Sequence, residues 1–338
     1  MAEKSSYNNI ADSFAMGEGM QVVMIGAEEV RNLVSMDKAL ELMMKAFSHH
    51  SNGTCHVPLR SVVENPGNTI TVFFKPAFDD FLSRFAVKLI TQNEDNKARG
   101  LPTISGIIVL MDAQTGRIVS VMDGTYITAL RTGAAGGLAT KLLARDNSSC
   151  FALFGCGAQG KTQLEAVMKV RDINRVLLFD KDRSAAEEMM KEVESDYSAE
   201  FSVCDNPDRL KEVDIITTAT GSTKPLFSPG QLKPGVHINA IGAYKPHMHE
   251  IHPEIIMQSK LFVDDRDACL AEPGDIVIPL KKGTVSEKII KAEIGEVING
   301  IKKGRESSDE ITVFKSVGIA IQDLVVANEA FELRMEYK

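Results

Sequence analysis

Apolar and polar positions follow two rhythms along this chain, and the change of rhythm divides it. From Val22 to Gly53 the apolar residues Met36, Leu40, Met44 and Phe47 recur at three- and four-residue spacing, as in a helix with one buried face, and Ser35 stands where an N-cap belongs. Between Val57 and Gly124 the rhythm becomes that of strands: VPLRSVVE, NTITVFFKPAF, RFAVKLITQN, SGIIVLMDA and RIVSVMDG, with Asp112–Gly116 (DAQTG) as a hairpin turn. Strand segments with no helix between them predict an antiparallel sheet. They carry more apolar residues than one buried face requires, so a partner subunit is expected over the second face. Thr125–Ala144 is helical again, with Leu130, Leu138 and Leu142 as its apolar positions. Its stretch from Arg131 through Thr132 to Gly137 (RTGAAGG) is small enough to press against a ligand or another backbone.

Beyond this bridge, short apolar runs alternate with helical stretches: Cys150–Phe154, Val176–Phe179, Phe201–Val203, Asp214–Thr217, His237–Ile241 and Leu261–Asp264. Six such strands predict a doubly wound parallel sheet. The first leads into Gly155-Cys-Gly157-Ala158-Gln159-Gly160, an amphipathic stretch follows (Leu164, Val167, Met168, Val170), and the second strand ends on Asp180. Strand, glycine turn, helix, strand and acid in this register form a dinucleotide-binding fingerprint. Gly155 makes the turn, Gly157 lets the backbone approach a pyrophosphate, and Gly160 lets the helix pack on its strand. The helix N-terminus offers N–H groups to the phosphates. Asp180 can accept both ribose hydroxyls and repels a 2′-phosphate, which favours NAD, while Lys181 and Arg183 leave NADP open. Ser316–Lys338 reads as one long helix (Ile319, Leu324, Ala327, Phe331) returning to the first domain. The expected organisation is α/β: a Rossmann domain over 129–315, a discontinuous α+β domain over 21–128 with 316–338, and a loose tail over 1–20.

Composition narrows the function classes. The chain has 338 residues, enough for about two domains, and is 44% apolar and 25% charged. A net charge of −8 without a basic block argues against nucleic acid. Small anionic ligands must then be met by local arginines and lysines. The longest apolar run, Ile104–Met111, is too short to span a bilayer, and the first twenty residues lack the apolar core of a signal peptide. Five cysteines (55, 150, 156, 204, 269) show no metal-ligand spacing and read as reduced thiols of a cytoplasmic protein. Cys156 reads as a small space-filler within the glycine turn.

Three basic residues are oddly placed for solvent-facing charge: Arg60 at a strand start, Lys88 inside the apolar strand Phe85–Ile90, and Arg131 in the small-residue helix. Each alone reads as a snorkelling or salt-bridged side chain. Together, beside a nicotinamide site, they suit a bound acid: a bidentate arginine clamps a carboxylate, and a half-buried lysine polarises a carbonyl or imine or moves a proton. His247, His249 and His252 have no acid or cysteine arranged to complete a metal site and read as an ordinary loop. Glu296, Glu306, Asp309 and Glu310 read as solvated charges.

Several stretches resemble the ornithine cyclodeaminase/μ-crystallin family: DGTYITALRTGAAGG (Asp123–Gly137), FGCGAQ (Phe154–Gln159), INAIGA (Ile238–Ala243), VDD (Val263–Asp265), EIGE (Glu293–Glu296), and KSVG (Lys315–Gly318) with Asp323. The similarity runs from about Ile25 to the C-terminus. It implies a homodimer formed through the N-terminal sheet, which would be the substrate-binding and dimerisation domain, and an active site between the two domains. It places Arg60, Lys88 and Arg131 in the family's substrate-binding positions, with Arg131 and Thr132 near the cofactor. One departure matters: cyclodeaminases and the family's alanine dehydrogenase carry an aspartate where this chain has Tyr244. That argues against ornithine cyclodeaminase and, less strongly, against ammonia-dependent amination, although Lys245 or His247 could stand in. The resemblance therefore implies NAD(P)H-dependent reduction of a 2-carboxylated cyclic imine, Δ1-pyrroline-2-carboxylate or Δ1-piperideine-2-carboxylate. The alternatives are an alanine-type amino-acid dehydrogenase, an ornithine or lysine cyclodeaminase, and a cofactor-dependent binding protein of the μ-crystallin kind.

Overall fold

The structure, a computed structural model, describes residues 13–15, 21–67 and 69–336. The chain divides into two compact units. The first comprises the described residues up to Ser35, Thr54–Thr128, and Asp323 onward; the second comprises Met36–Gly53 and Ala129–Gln322.

The first unit holds strands β1 (Ser13–Ala15), β2 (Gln21–Ile25), β3 (Cys55–His56), β4 (Ser61–Glu64), β5 (Ile70–Asp79), β6 (Arg84–Asn93), β7 (Ile104–Asp112) and β8 (Ile118–Asp123). Their order is β1-β2-β8-β7-β6-β5-β3, with β4 also paired to β5. The five expected strand segments are all present, but the sheet is mixed, because β2 runs parallel to β8. Val22–Ile25, expected within a helical stretch, forms this strand: Val22, Val23 and Ile25 are buried while Met24 is exposed. The run is short and rich in β-branched residues, and pairing with β8 satisfies its backbone. Helix α1 (Ala27–Leu33) follows it. The expected loose tail is also corrected in part, since Ser13–Ala15 pairs antiparallel with β2; the remainder of residues 1–20 lies outside the described residues. The DAQTG turn closes as expected. Asp112 Oδ1 accepts from Thr115 N (2.9 Å) and Thr115 Oγ1 (2.6 Å), and Gly116 takes φ 71°.

Burial alternates along β5, with Thr71, Phe73, Lys75, Ala77 and Asp79 on the buried face. Leu59, Val62, Val63, Phe81, Phe85 and Ile107 are exposed apolar residues of the same unit, and Phe78 stacks on Phe85.

Helix α2 spans Met36–Ser51 and helix α3 spans Gly124–Leu143. Helix α2 was expected in the first domain but belongs to the second unit. Its buried face is Met36, Ala39, Leu42, Met43, Ala46 and Phe47, so Met44 falls outside.

The second unit is a wholly parallel sheet of β9 (Cys150–Phe154), β10 (Arg175–Phe179), β11 (Glu200–Val203), β12 (Ile215–Thr218), β13 (His237–Ala240), β14 (Lys260–Val263), β15 (Ile290–Glu293) and β16 (Thr312–Lys315). The order β11-β10-β9-β12-β13-β16-β14-β15 reverses direction between β9 and β12, the doubly wound pattern. Two strands exceed expectation. In β15 and β16, lysine, glutamate and threonine interrupt the apolar residues, so neither shows as an apolar run. Around the sheet lie α4 (Ala158–Val170), α5 (Arg183–Val193), α6 (Pro253–Gln258), α7 (Arg266–Ala271), α8 (Gly274–Lys281) and α9 (Ile294–Ile298). Ala152, Ile216, Ile238 and Val313 belong to one core cluster, and Phe151, Leu153, Val176 and Ile215 to another. Helix α2 packs here, with Lys169 on Asp37 at 2.7 Å and Ser48 donating to Asn299 at 2.6 Å.

The small residues of α3 serve helix packing. A Cβ on Gly133 would lie 2.5 Å from Thr162 O, and one on Gly136 would lie 2.1 Å from Gln163 Oε1, both on α4. The last helix, α10 (Ala320–Glu336), begins later than the expected Ser316. Asp264 Oδ2 holds Ser316–Gly318 out of the helix by accepting from Ser316 Oγ, Val317 N and Gly318 N at 2.7, 3.0 and 2.7 Å. No helix among the described residues is long and apolar enough to cross a membrane.

Candidate active site

The glycine turn is built as the spacing predicts. Gly155 has φ 97°, and a Cβ there would meet Ala219 O at 2.4 Å. A Cβ on Gly160 would lie 2.1 Å from Gly155 O, so the start of α4 sits directly on the turn. Gly157 differs, because nothing lies within 4 Å of its Cβ position. The backbone is therefore open where a phosphate would approach, ahead of α4, whose first residues are Ala158 and Gln159. Asp180 Oδ2 accepts from Cys156 N (2.7 Å) and its Oδ1 from Asp182 N (3.0 Å), which fixes the acid beside the turn. Burial, together with the neighbouring Asp180 carboxylate, pushes the Cys156 thiol up to about 12, so it fills space rather than reacting. Arg183 is held by Glu187 and Asp205. Thr132 is buried, and its carbonyl accepts from Gln163 Nε2 at 2.7 Å.

The loops after β12 and β13 lie where a doubly wound sheet binds ligands. A residue with no signal in the sequence ties them together. Glu250, fully buried, accepts from Thr220 N and Oγ1 (both 2.7 Å), Thr218 Oγ1 (3.0 Å) and Ala243 N (3.0 Å). Burial raises its pKa, opposed by the Lys315 ammonium. Lys315, equally buried, lies 3.3 Å from Asp275 and donates to Ala240 O at 2.9 Å. Tyr244 follows this clamp, with Lys245 Nζ 6.0 Å from its ring centroid.

Arg60 and Lys88 belong to the first unit. The Arg60 guanidinium lies over the Phe73 ring at 4.9 Å. Lys88 is 1% exposed; its ammonium pairs with the equally buried Asp323 at 2.6 Å and donates to Thr128 Oγ1 at 3.1 Å. Arg131, in the second unit, is buried and donates through Nη1 to Gln322 Oε1 at 3.1 Å. Gly318 lies against it, since a Cβ there would come within 2.2 Å of Arg131 Nη1. Asp323, Gln322 and Gly318 therefore set the expected basic residues in place. A second lysine, Lys75, stands opposite Lys88 in the register.

The three histidines do not converge. His252 caps α6 by accepting from Glu254 N (3.3 Å), His249 is buried and His247 is exposed. Among the described residues, ligand atoms of metal-binding type meet within 4.8 Å at His50, Asp265 and Glu293. There His50 bonds Asp265 (2.7 Å), while Asp265 and Glu293 also accept from Ala268 N and Arg266 N. The acids expected as solvated charges are partly structural. Glu306 and Glu310 pair with Lys260 at 2.6 and 2.9 Å, and Glu296 accepts from Glu293 N.

The chain matches the profile of the ornithine cyclodeaminase/mu-crystallin family over residues 20–336. It is 36% identical over 317 residues to Δ1-pyrroline-2-carboxylate reductase of Bacillus cereus, covering 93% of this chain and 97% of the relative. The structure of Thermococcus litoralis Δ1-pyrroline-2-carboxylate reductase in complex with NADH and L-proline superimposes with TM-score 0.90 at 36% identity, covering 93% of this chain and 98% of that one. An archaeal alanine dehydrogenase dimer with bound NAD gives TM-score 0.90 at 37% identity, covering 94% and 97%.

Proposed function

The chain belongs to the ornithine cyclodeaminase/mu-crystallin family, and on that premise we propose that it is an NADH-dependent reductase of a 2-carboxylated cyclic imine, of the Δ1-pyrroline-2-carboxylate type. The observation that carries this reading is the near-full-length likeness to Δ1-pyrroline-2-carboxylate reductases, one of them solved with NADH and L-proline.

The residues fit the cofactor. Gly155, Gly157, Ala158, Gln159 and Gly160 would cradle the pyrophosphate, Asp180 the ribose hydroxyls, and Thr132 the neighbouring region. Asp180 is anchored as an acceptor and Arg183 is engaged by two carboxylates, which supports NAD over NADP. When bound, NADH supplies the hydride that the imine carbon takes. Arg60 and Arg131 hold the substrate carboxylate by charge-assisted hydrogen bonds. Lys88 orients the imine nitrogen and gives it the proton that completes the amine. Asp323 holds that ammonium in place. Tyr244 offers no carboxylate to take protons from an amine undergoing oxidation, which disfavours a cyclodeaminase.

The first unit would bind substrate and form a homodimer through its exposed apolar residues, in line with the dimer of the alanine dehydrogenase. The partners are then a small amino-acid-like carboxylate and a second copy of the chain. Five free cysteines suit the reducing cytoplasm. The likeness to alanine dehydrogenase supports a second reading, reductive amination of a keto acid, which would require ammonia. The Lys88→Met variant tests the chemistry. With saturating imine its kcat should fall at least about 100-fold, as for loss of a general acid; full turnover would remove Lys88 from the reaction.

A further inference from the structure

A buried amide beside Arg131 offers hydrogen bonds that no group among the described residues accepts. Gln322 lies in the first turn of α10 and is fully buried. Its Oε1 accepts from Arg131 Nη1 at 3.1 Å and from Ile319 N at 2.8 Å. Two donors converging on one atom identify it as the oxygen, because a turned-over amide would set its NH2 against both. That fixes the nitrogen as well, and Nε2 has no hydrogen-bond partner among the described residues.

A donor stripped of water and left unpaired is costly, so buried orphan donors are rare and call for a cause. Other buried nitrogens of this kind have one. Arg145 is engaged through Nη2, which donates to Asp214 at 2.7 Å, and Arg334 Nε faces the Glu29 carboxylate. His249 Nε2 carries no proton in the tautomer that protonates Nδ1. The Gln322 nitrogen has no such escape, since its two N–H groups are present in every state. Were its task only to hold Arg131, a glutamate would do so with a stronger, charge-assisted bond and leave no donor orphaned.

In the function proposed above, Arg131 holds the carboxylate of the imine. We propose that Gln322 is a further substrate-binding residue, whose Nε2 donates to that same carboxylate. The two side chains share a hydrogen bond, so the amide nitrogen stands next to the guanidinium. A carboxylate has about four lone-pair sites and can take the amide N–H in addition to an arginine fork. The anion is then read by a charged group and a neutral one together, and its arrival satisfies the buried NH2. This rests on the imine-reductase reading and adds a residue to its substrate site.

Gln322→Glu separates this role from a purely structural one. It keeps the shape of the side chain and an oxygen for Arg131 Nη1 and Ile319 N, but sets a second oxygen where Nε2 was. With Δ1-pyrroline-2-carboxylate its KM should rise about 10–100-fold, the range for losing a hydrogen bond to a charged group, with little change in kcat. L-Proline should bind the NADH-loaded variant more weakly by the same factor in calorimetry, while NADH binds it as it binds the parent. Gln322→Met, which removes both contacts, should raise KM at least as far. A parent-like KM in either variant overturns the proposal. So does a Gln322→Glu variant whose affinity for NADH falls with its KM, since the contact would then be to the cofactor. The two failures are distinct. If the parent neither reduces the imine nor binds L-proline, the function proposed above fails and Gln322 loses its ligand; if the parent reduces the imine and Gln322→Glu matches its KM, only the role of Gln322 fails.

Discussion

Replacing Gly318 by alanine should damage substrate binding as well as folding. Gly318 has φ 75°, a left-handed conformation that costs a residue with a Cβ about 1–2 kcal/mol. The new methyl would lie 2.2 Å from Arg131 Nη1 and 2.7 Å from Nη2. A guanidinium is the mobile end of its side chain, so it will yield before the backbone does. Arg131 is buried and tied to Gln322 at 3.1 Å, so yielding breaks that bond and turns the fork away from the carboxylate it is proposed to hold. A hydrogen bond involving a charged group is worth about 1.5–3 kcal/mol, which converts to a roughly 10–100-fold rise in KM for the imino acid. Because the contact serves ground and transition states alike, kcat should change little. Gly300→Ala is the control. Gly300 has φ 69°, and nothing lies within 4 Å of its Cβ position, so it isolates the conformational cost. Gly300→Ala should lose about 1–2 kcal/mol in urea unfolding, Gly318→Ala that much plus about 1.5–3 kcal/mol for the broken buried bond, and only Gly318→Ala should raise KM in the NADH-oxidation assay. A Gly318→Ala KM within twofold of the parent, or an equal rise in Gly300→Ala, would mean that Gly318 does not position Arg131 for substrate.

Three further outcomes follow from the same geometry. Gly157→Ala should unfold at the parent's urea midpoint yet bind NADH at least about tenfold more weakly by fluorescence titration, since its Cβ meets only open space; Gly160→Ala, 2.1 Å from Gly155 O, should lose both affinity and stability. His237 is buried, and desolvation lowers its pKa to about 3 from 6.5, so the unfolded chain takes up the proton first. The stability it confers is full above pH 6.5 and is lost as pH falls toward 3, by about 2 kcal/mol at pH 5; His237→Gln should flatten that limb of the urea-unfolding profile. Arg171→Met removes the guanidinium that binds the Thr140, Lys141 and Ala144 carbonyls at the end of α3 (3.1, 3.0 and 2.9 Å) and should cost about 2–4 kcal/mol by calorimetry.

How far residues announce their roles depends on whether the reason is local. Gly155 turns the chain with φ 97° and Gly160 meets Gly155 O, five residues back, so the turn was legible from spacing. The strands β5 to β8 were legible because their apolar residues are dense. β15 and β16 were not, since β16 is buried between β13 and β14 while keeping a lysine and a threonine in its four residues. Val22–Ile25 misled because a helical stretch follows directly, and only pairing with β8 decides its state. Among the residues proposed for the site, a charge within an apolar strand picked out Lys88, and that signal was equally present for the buried Lys75 and Lys315. Gln322 and Asp323 are polar residues in an otherwise buried helix segment, a cue that becomes specific only once Arg131 and Lys88 are seen beside them. Glu250 could not be distinguished from its histidine neighbours, because Thr218 and Thr220, which give it three of its four hydrogen bonds, lie 32 and 30 residues away in the sequence.

The decisive assay is NADH oxidation by the purified protein, with Δ1-pyrroline-2-carboxylate or a related 2-carboxylated cyclic imine and no ammonia, set beside pyruvate with ammonia. The imine should turn over in the absence of ammonia, with negligible turnover of the keto acid. Turnover confined to the keto acid with ammonia would contradict it and make the chain an amino-acid dehydrogenase.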